Sequence, residues 1–206
     1  MISNRWRGER ISIAPDTPVA IIQSHLSRYI WAMHYCVGKD VLDLGCGTGY
    51  GTWMLGTVAS DIIGIDKCVE AITEAKRDFN GVFFDLSIED APQQMSFRAD
   101  TVVAFEVMEH LDDVDVGMEA IKQLLKPEGM ALISLPLHQP SEWHHLRDYG
   151  YEDWLEIVKR HFEVVPHGVF WQPTEETIYW DGNVMIRNMP TEAPLTGISI
   201  FAVVKK

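Results

Sequence analysis

The residues best suited to chemistry by type and spacing lie in segment 41–50, where glycines alternate with other residues after a short apolar run. Gly45, Gly47 and Gly49 lack a Cβ, so a strand can turn tightly into a helix there and the backbone can approach a ligand closely. Asp43 precedes the glycines. A carboxylate there repels the phosphates of a dinucleotide and attracts a cationic amino-acid group. The segment therefore predicts a cofactor site, and its GxGxG spacing departs from the dinucleotide pattern GxGxxG.

A second chemically capable group lies in segment 104–111, which contains two carboxylates and an imidazole. If the chain turns helical there, Glu106, Glu109 and His110 share one face, because positions i, i+3 and i+4 are neighbours on a helix. Such side chains bind divalent cations, among them Mg²⁺, Mn²⁺ and Zn²⁺. His145 is the predicted fourth ligand of this metal site. In the simpler alternative, the glutamates cap helices or bind water and the histidine packs on the cofactor.

The same side chains are candidate catalytic residues even without a metal. His145 or His110 is the predicted general base, because imidazole titrates near working pH. Glu109 is a further candidate catalytic residue. His144 is the reserve candidate both for the fourth metal ligand and for the general base. The acidic run 112–115, by contrast, is predicted to supply an N-cap and first-turn acids to the helix that follows it.

Apolar runs that alternate with helical patterns are expected to position these groups. This rhythm is typical of βαβ units in a parallel sheet. It predicts an α/β fold, a three-layer Rossmann-like sandwich with a seven-stranded, mostly parallel sheet and an antiparallel last strand. The predicted helices are 18–36, 50–58, 69–79, 114–125 and 151–162, and the predicted strands are 41–44, 62–66, 82–85, 101–105, 130–135, one beginning at 163, and 198–204, with a turn at 126–129.

The whole chain, 1–206, is predicted to be a single domain. Residues 1–38 form a helical cover in this interpretation. The connection 168–197 is longer than an ordinary loop, so it is interpreted either as a lid over a binding site or as a surface hairpin. Its large aromatic residues are Phe170, Trp171, Tyr179 and Trp180.

The composition limits the class of partner. With 17 Lys and Arg against 30 Asp and Glu, the formal net charge is −13, which opposes duplex nucleic acid or an anionic membrane as the main partner. The three cysteines are widely spaced, without a disulfide or zinc pattern. No apolar stretch approaches a membrane span, and no apolar leader follows the first arginines. We therefore expect a cytoplasmic protein without membrane insertion.

The segments described above resemble known enzyme motifs. Segment 41–49 closely matches the first motif of class I S-adenosylmethionine-dependent methyltransferases, and the resemblance covers most of the chain. Segment 104–111 resembles the fourth motif of a branch with Glu-x-x-Glu-His, which includes ubiquinone-pathway O-methyltransferases. Segment 145–154 is similar to a segment of those enzymes and of small-RNA 3′-terminal 2′-O-methyltransferases. Residues 8–10 and segment 25–29 are similar to methyltransferases associated with sugar or polysaccharide modification. This resemblance implies that Arg28 or Tyr29 reaches the cofactor's carboxylate, whereas simple packing of the helix on the sheet explains its apolar stripe equally well.

The resemblance implies S-adenosylmethionine as the cofactor and a role for each matched position. It implies that Asp43 faces the methionine ammonium group. Asp66 would accept hydrogen bonds from both ribose hydroxyls, with Lys67 beside it. Asp85 would bind the adenine amino group, and the N–H of Leu86 would face the ring. The other positions that the resemblance places at the cofactor are Gly45, Cys46, Gly47, Gly49 and Phe105.

The resemblance also predicts the reaction. The methyl group would pass by in-line displacement to a hydroxyl of a small molecule or glycan, assisted in the metal-dependent members by a cation at Glu106, Glu109, His110 and His145. The alternatives are 2′-O-methylation of an RNA 3′ end and a non-catalytic subunit that binds S-adenosylmethionine. A nicotinamide oxidoreductase is disfavoured by the GxGxG spacing and Asp43. Neither the acceptor nor the oligomeric state follows from the sequence.

Overall fold

The chain forms one sheet with helices on both of its faces. The computed structural model describes residues 17, 19–138, 148–173, 186–192, 194 and 196–206. The described helices are α1 (Val19–Cys36), α2 (Tyr50–Gly56), α3 (Val69–Asp78), α4 (Ala91–Gln94), α5 (Val114–Leu124) and α6 (Tyr151–His161), with a short 3₁₀ turn at Met108–His110. The described strands are β1 (Asp40–Leu44), β2 (Asp61–Asp66), β3 (Val82–Asp85), β4 (Ala99–Phe105), β5 (Leu125–Leu137), β6 (Phe162–Gln172), β7 (Arg187–Asn188) and β8 (Gly197–Lys205).

The strand order confirms the predicted α/β sandwich. Along the sheet the strands run β3-β2-β1-β4-β5-β8-β6-β7. The first five in this order pair in parallel, and β8 is antiparallel to both β5 and β6. The sheet has eight strands rather than the predicted seven, because the two-residue strand β7 lies inside the connection 168–197 and pairs with β6. The carboxyl ends of β1, β2 and β4 therefore meet at one edge.

Most predicted boundaries lie within a few residues of the observed ones, but the turn at 126–129 is wrong. These residues belong to β5, where the register against β4 shifts between Ala99 and Thr101. The N-cap prediction at the acidic run is confirmed, since Asp113 accepts hydrogen bonds from the N–H groups of Asp115 and Val116. The side chain of Asp113 thus caps the N-terminus of α5.

Two apolar cores lie on opposite faces of the sheet. Strand residues alternate between them: Val41 packs in the core with α1 and α2, whereas Leu42 packs in the core with α5 and α6. Trp154 of α6 is fully buried and its indole N–H donates to the carbonyl of Pro136 at 2.7 Å, so it is a core residue. The two cores hold the carboxyl edge of the sheet rigidly between helical layers.

None of the described helices combines the length and apolarity that crossing a membrane requires. The cytoplasmic location and the single-domain boundaries stay predictions. The middle of the proposed lid, 174–185, lies outside the described residues, as does segment 139–147 with His144 and His145.

Candidate functional site

The glycine turn joins β1 to α2, and two of its glycines have different roles. Gly47 has φ +54°, and a Cβ built on it meets no protein atom within 4 Å. Gly49, with φ +84°, is the N-cap of α2, and a Cβ there would lie 2.6 Å from that of Ala75. Gly47 therefore leaves space for a ligand, whereas Gly49 allows α2 to pack closely on α3.

A cavity opens at the carboxyl edge of the sheet directly over this turn. Its volume is about 190 Å³, and it is partly open to solvent. Residues 45–48 form its floor. Asp66 and Lys67 line it after β2, and Phe105 lines it at the end of β4. Of the predicted cofactor positions, the structure thus brings seven together: Gly45, Cys46, Gly47, Asp66, Lys67, Phe105 and, as support beneath the turn, Gly49.

Asp66 joins the turn to the second strand. Its carboxylate accepts hydrogen bonds from the N–H of Gly47 at 3.0 Å and from the N–H of Cys68 at 2.8 Å. Each carboxylate oxygen retains a second lone pair, so paired hydroxyl groups of a ligand can still bind. The contact of Asp66 with a ribose diol stays a prediction.

Asp85 and Leu86 do not line the cavity, and their contacts with adenine stay predictions. Asp85 is exposed, and the N–H of Leu86 donates to the carbonyl of Asp66 at 3.0 Å. Ile88 and Glu89 line the cavity instead. The sequence signal for this was the apolar Ile88 three residues after the strand.

Asp43 lies beneath the cavity and not on its wall. It is fully buried, and its carboxylate accepts hydrogen bonds from the Thr52 hydroxyl at 2.6 Å and the Tyr29 hydroxyl at 3.4 Å. Burial raises the pKa of Asp43 to about 7, against the lowering effect of these two hydrogen bonds. Asp43 is not among the residues that line the cavity, and its contact with a cofactor ammonium group stays a prediction.

The acid and histidine segment after β4 is not helical from its first residue. Glu106 has φ +54°, which re-aims its side chain, and its carboxylate accepts a hydrogen bond from the Ser134 hydroxyl at 2.9 Å. Glu109 is fully buried, and neither of its carboxylate oxygens has a hydrogen-bond partner in the described part of the chain. Burial, together with the charge of Glu106, raises its pKa well above the usual value. His110 lines the cavity, with Nε2 3.9 Å from Oε1 of Glu109.

These residues do not fit the predicted metal site. Within the described ranges, no three His, Cys, Asp or Glu side chains are arranged to hold a metal ion. The positive φ of Glu106 breaks the single helical face that the prediction required, and Glu109 does not line the cavity. The fourth predicted ligand, His145, lies outside the described residues. We therefore derive no step of the chemistry through a metal.

Two residues near the turn, His25 and Tyr50, were not predicted as site residues from the sequence, whereas Tyr29 was a candidate for contact with the cofactor's carboxylate. His25 and Tyr29 of α1 and Tyr50 of α2 all line the cavity. His25 Nδ1 lies 3.2 Å from the Tyr50 hydroxyl, and burial, followed by the charge of Arg28, lowers the pKa of His25 well below its usual value. The spacing of His25 and Tyr29 by four residues places them on one face of α1, but that stripe also fits simple packing.

The charges on the cavity wall favour a cationic ligand. Among the described lining residues there are three carboxylates, Asp66, Glu89 and Glu106, and a single ammonium group, Lys67. A pyrophosphate would meet net repulsion there, whereas a group with positive charge would be attracted. The wall therefore disfavours a dinucleotide more directly than the overall charge does.

Comparisons with known proteins agree with this site. A family model described as a methyltransferase domain matches residues 31–180. The mitochondrial ubiquinone biosynthesis O-methyltransferase of Bos taurus is 32% identical over 150 residues, covering 65% of this chain and 40% of the bovine protein. A probable S-adenosylmethionine-dependent methyltransferase of Mycolicibacterium smegmatis is 33% identical over 109 residues, covering 50% of this chain and 40% of that protein. The chain thus spans about 40% of the length of these relatives.

Solved structures show the same fold at low sequence identity. The N-methyltransferase NodS of Bradyrhizobium japonicum, in complex with S-adenosylhomocysteine, has a TM-score of 0.65 at 15% identity, covering 93% of this chain and 89% of NodS. A possible histamine N-methyltransferase of Thermotoga maritima has a TM-score of 0.69 at 11% identity, covering 91% and 92%. At such identities the likeness concerns the fold alone.

Proposed function

The chain belongs to the class I S-adenosylmethionine-dependent methyltransferases, and from this premise we propose that it methylates a hydroxyl group of a small molecule or sugar. The observation that carries the proposal is the cavity over the glycine turn. Gly47 leaves space for the cofactor, and Asp66 presents a carboxylate suited to a ribose diol. Ile88 and Leu111 add apolar surface for the adenine ring.

Oxygen is the proposed acceptor atom because of the named relatives. The bovine relative is called an O-methyltransferase, and its human counterpart is 31% identical to this chain over 150 residues. The N-methyltransferases named above share only the fold. A small-molecule or glycan acceptor also suits the acidic wall, since neither needs neutralising cations.

The described side chains support a simple mechanism. S-adenosylmethionine supplies an electrophilic methyl group on a sulfonium, so the protein must hold the acceptor in line and remove its proton. His110 lines the cavity and is the base that we propose to take the hydroxyl proton. Glu109 lies beside it, with Oε1 3.9 Å from Nε2 of the imidazole. His145 remains the alternative base, at a position outside the described residues.

Two other functions stay open to test. Methylation of an RNA 3′ end uses the same chemistry but brings phosphates to an acidic wall. A non-catalytic subunit would keep the cofactor site without needing His110. The metal-assisted form of the reaction is not part of our proposal, because the described residues do not form its site.

Cofactor binding is tested first, by calorimetric titration with S-adenosylhomocysteine and, separately, NADH. We expect saturable binding of S-adenosylhomocysteine and none of NADH, because the cavity wall disfavours pyrophosphate. Binding of NADH with no response to S-adenosylhomocysteine would overturn the assignment of the cofactor.

Acceptor chemistry is tested with methyl-labelled S-adenosylmethionine and a panel of catechols, methyl glycosides and short RNA. We expect label in a phenolic or sugar hydroxyl. For the accepted substrate, His110→Asn should lower kcat by about 10²- to 10⁴-fold, the usual contribution of a general base. His167→Asn is the matched control, because His167 is exposed and does not line the cavity. Unchanged turnover in His110→Asn would remove this residue from the mechanism.

A further inference from the structure

Three aromatic rings form a continuous wall of the cavity beside the glycine turn. Tyr29 comes from α1, Tyr50 is the first residue of α2 and Phe105 is the last residue of β4. The ring centroid of Tyr29 lies 5.5 Å from that of Tyr50 and 5.3 Å from that of Phe105, both in edge-to-face arrangements. Each residue keeps only 6 to 7% of its surface exposed. Three separate elements thus fix one rigid aromatic surface.

The hydroxyl groups of the two tyrosines are already engaged. The Tyr29 hydroxyl donates to Asp43, beneath the cavity, and the Tyr50 hydroxyl contacts Nδ1 of His25. Burial raises the pKa of both tyrosines, so both remain neutral phenols. The negative charge around an aromatic face attracts cations.

We propose that the rings of Tyr29, Tyr50 and Phe105 bind the positive charge of the cofactor sulfonium and make the site select S-adenosylmethionine over its neutral product. This inference rests on the proposed function and deepens it. The methionine ammonium group is present in both molecules, so the sulfonium charge is the difference that the wall can recognise. β1 and β4 are neighbours in the sheet, which puts Phe105 next to the glycine floor. Product release is favoured because the charge is lost on methyl transfer.

A purely apolar role for the wall makes a different prediction. Apolar burial depends on area, and the two cofactor forms differ by one methyl group only. Loss of a ring would then weaken both forms almost equally. A cation–π contact, in contrast, acts on the charged form alone.

The test is calorimetric titration of the full chain and of Phe105→Leu with S-adenosylmethionine and with S-adenosylhomocysteine. Phe105 is chosen because it has no hydroxyl whose hydrogen bond would also be lost. We expect Phe105→Leu to weaken S-adenosylmethionine binding by about 3- to 30-fold and S-adenosylhomocysteine binding by less than about 2-fold. Phe84→Leu is the matched control, because Phe84 is 45% exposed and lies off the cavity wall. It should change neither affinity.

A second series keeps the shape of the ring, in case Phe105→Leu does not fold. Replacement of Phe105 by mono-, di- and trifluorinated phenylalanine reduces the negative charge on the ring face stepwise. We expect the affinity for S-adenosylmethionine to fall with each fluorine while that for S-adenosylhomocysteine stays level. Equal losses for both molecules, in either series, would overturn the inference. Absence of binding of both molecules to the wild-type chain would instead overturn the proposed function.

Discussion

At the scale of single residues, burial separates aspartates that look equivalent in the sequence. Asp43, Asp66 and Asp85 each stand at or near the carboxyl end of a parallel strand. Asp66 lies on the cavity wall with free lone pairs, Asp43 is sealed beneath it by two hydroxyl groups, and Asp85 is exposed away from it. We therefore propose that Asp66 binds the cofactor, whereas Asp43 links β1 to α1 and α2 through its hydrogen bonds with Tyr29 and Thr52.

A pair of variants tests this assignment. Asp66→Asn should weaken binding of S-adenosylhomocysteine by about 10- to 100-fold, because a charged hydrogen-bond acceptor for the ribose hydroxyls is lost. Asp85→Asn should leave the affinity within about 2-fold, because an exposed carboxylate away from the wall contributes little. Calorimetric titration measures both. A larger loss of affinity in Asp85→Asn than in Asp66→Asn would contradict this assignment and support the contact of Asp85 with adenine that the resemblance implies.

The two glycines of the turn should also respond differently to alanine. Gly47→Ala introduces a methyl group into open space, so its cost to stability is limited to the strain of a positive φ, about 1 kcal/mol, whereas cofactor affinity should drop at least 10-fold. Gly49→Ala brings its Cβ against Ala75 and Phe83 and should lower the thermal midpoint markedly. Thermal unfolding and titration together separate the effects. Similar unfolding midpoints for the two variants would contradict the distinction.

Asp43 gives a testable dependence of stability on pH. Its pKa is about 7 in the folded chain, whereas an unfolded Asp titrates near 3.9, so between these values only the folded state holds the proton. Stability from this group is present at low pH and is lost as pH rises through 7. Between pH 5 and 8 the free energy of unfolding of the wild type should fall relative to that of Asp43→Asn, by up to about 3 kcal/mol.

Urea unfolding at both pH values measures this difference. Asp61→Asn is the control, because Asp61 is exposed and its removal should not alter the pH dependence. A free-energy difference between wild type and Asp43→Asn that is constant with pH would show that Asp43 stays ionised when folded.

At the scale of elements, the sequence predicted the order of helices and strands apart from the short elements α4 and β7, because the periodicity of the longer elements is set by local burial. α3 and α6, for example, end within one residue of the predictions. The failures occur where tertiary contacts override local pattern. Residues 126–129 read as a turn from Pro127 and Gly129, yet pairing with β4 extends β5 through them. The positive φ of Glu106, stabilised by Ser134 of the neighbouring strand, had no local signal either.

The position of α1 depends on a contact that the sequence could not reveal, because its partners are far apart along the chain. The buried guanidinium of Arg28 donates to Oε1 of Gln172 at 2.7 Å, and the Gln172 amide donates to the carbonyl of Ser24 at 2.8 Å. These bonds tie α1 to the end of β6. Since α1 also carries His25 and Tyr29, the contact positions one wall of the site.

Removal of Gln172 should therefore affect both stability and binding. Gln172→Ala leaves the buried guanidinium without its nearest acceptor and should reduce the free energy of unfolding by about 2–4 kcal/mol, with weaker binding of S-adenosylhomocysteine. Gln172→Glu keeps an acceptor and should retain most of both. Gln94→Ala, at an exposed position, is the control for urea unfolding. Equal stability of Gln172→Ala and Gln94→Ala would show that the hydrogen bonds of Gln172 with α1 do not stabilise the fold.

At the scale of the whole molecule, the net charge is −13, and the excess of negative charge extends to the cavity wall. Acidic residues outnumber basic residues in the whole chain. They also do so on the described cavity wall, which has three carboxylates and one ammonium group, that of Lys67. A phosphate-bearing acceptor would thus be repelled twice, on approach and at the site. A neutral phenol or sugar meets no such barrier, which is why we place RNA second.

This ranking predicts how the chain responds to RNA. A single-stranded 20-nucleotide RNA with a free 3′ end, labelled at its 5′ end, should show no saturable rise in fluorescence anisotropy up to about 100 µM protein at about 0.1 M salt. Added S-adenosylhomocysteine should not change this. Micromolar or tighter binding that weakens with salt would require a cationic surface that the described wall lacks, and it would move RNA ahead of the small-molecule acceptors. The same RNA ending in a 2′-O-methyl group then decides whether the terminal hydroxyl is recognised, because a true acceptor site distinguishes the two ends and nonspecific attraction to phosphates does not.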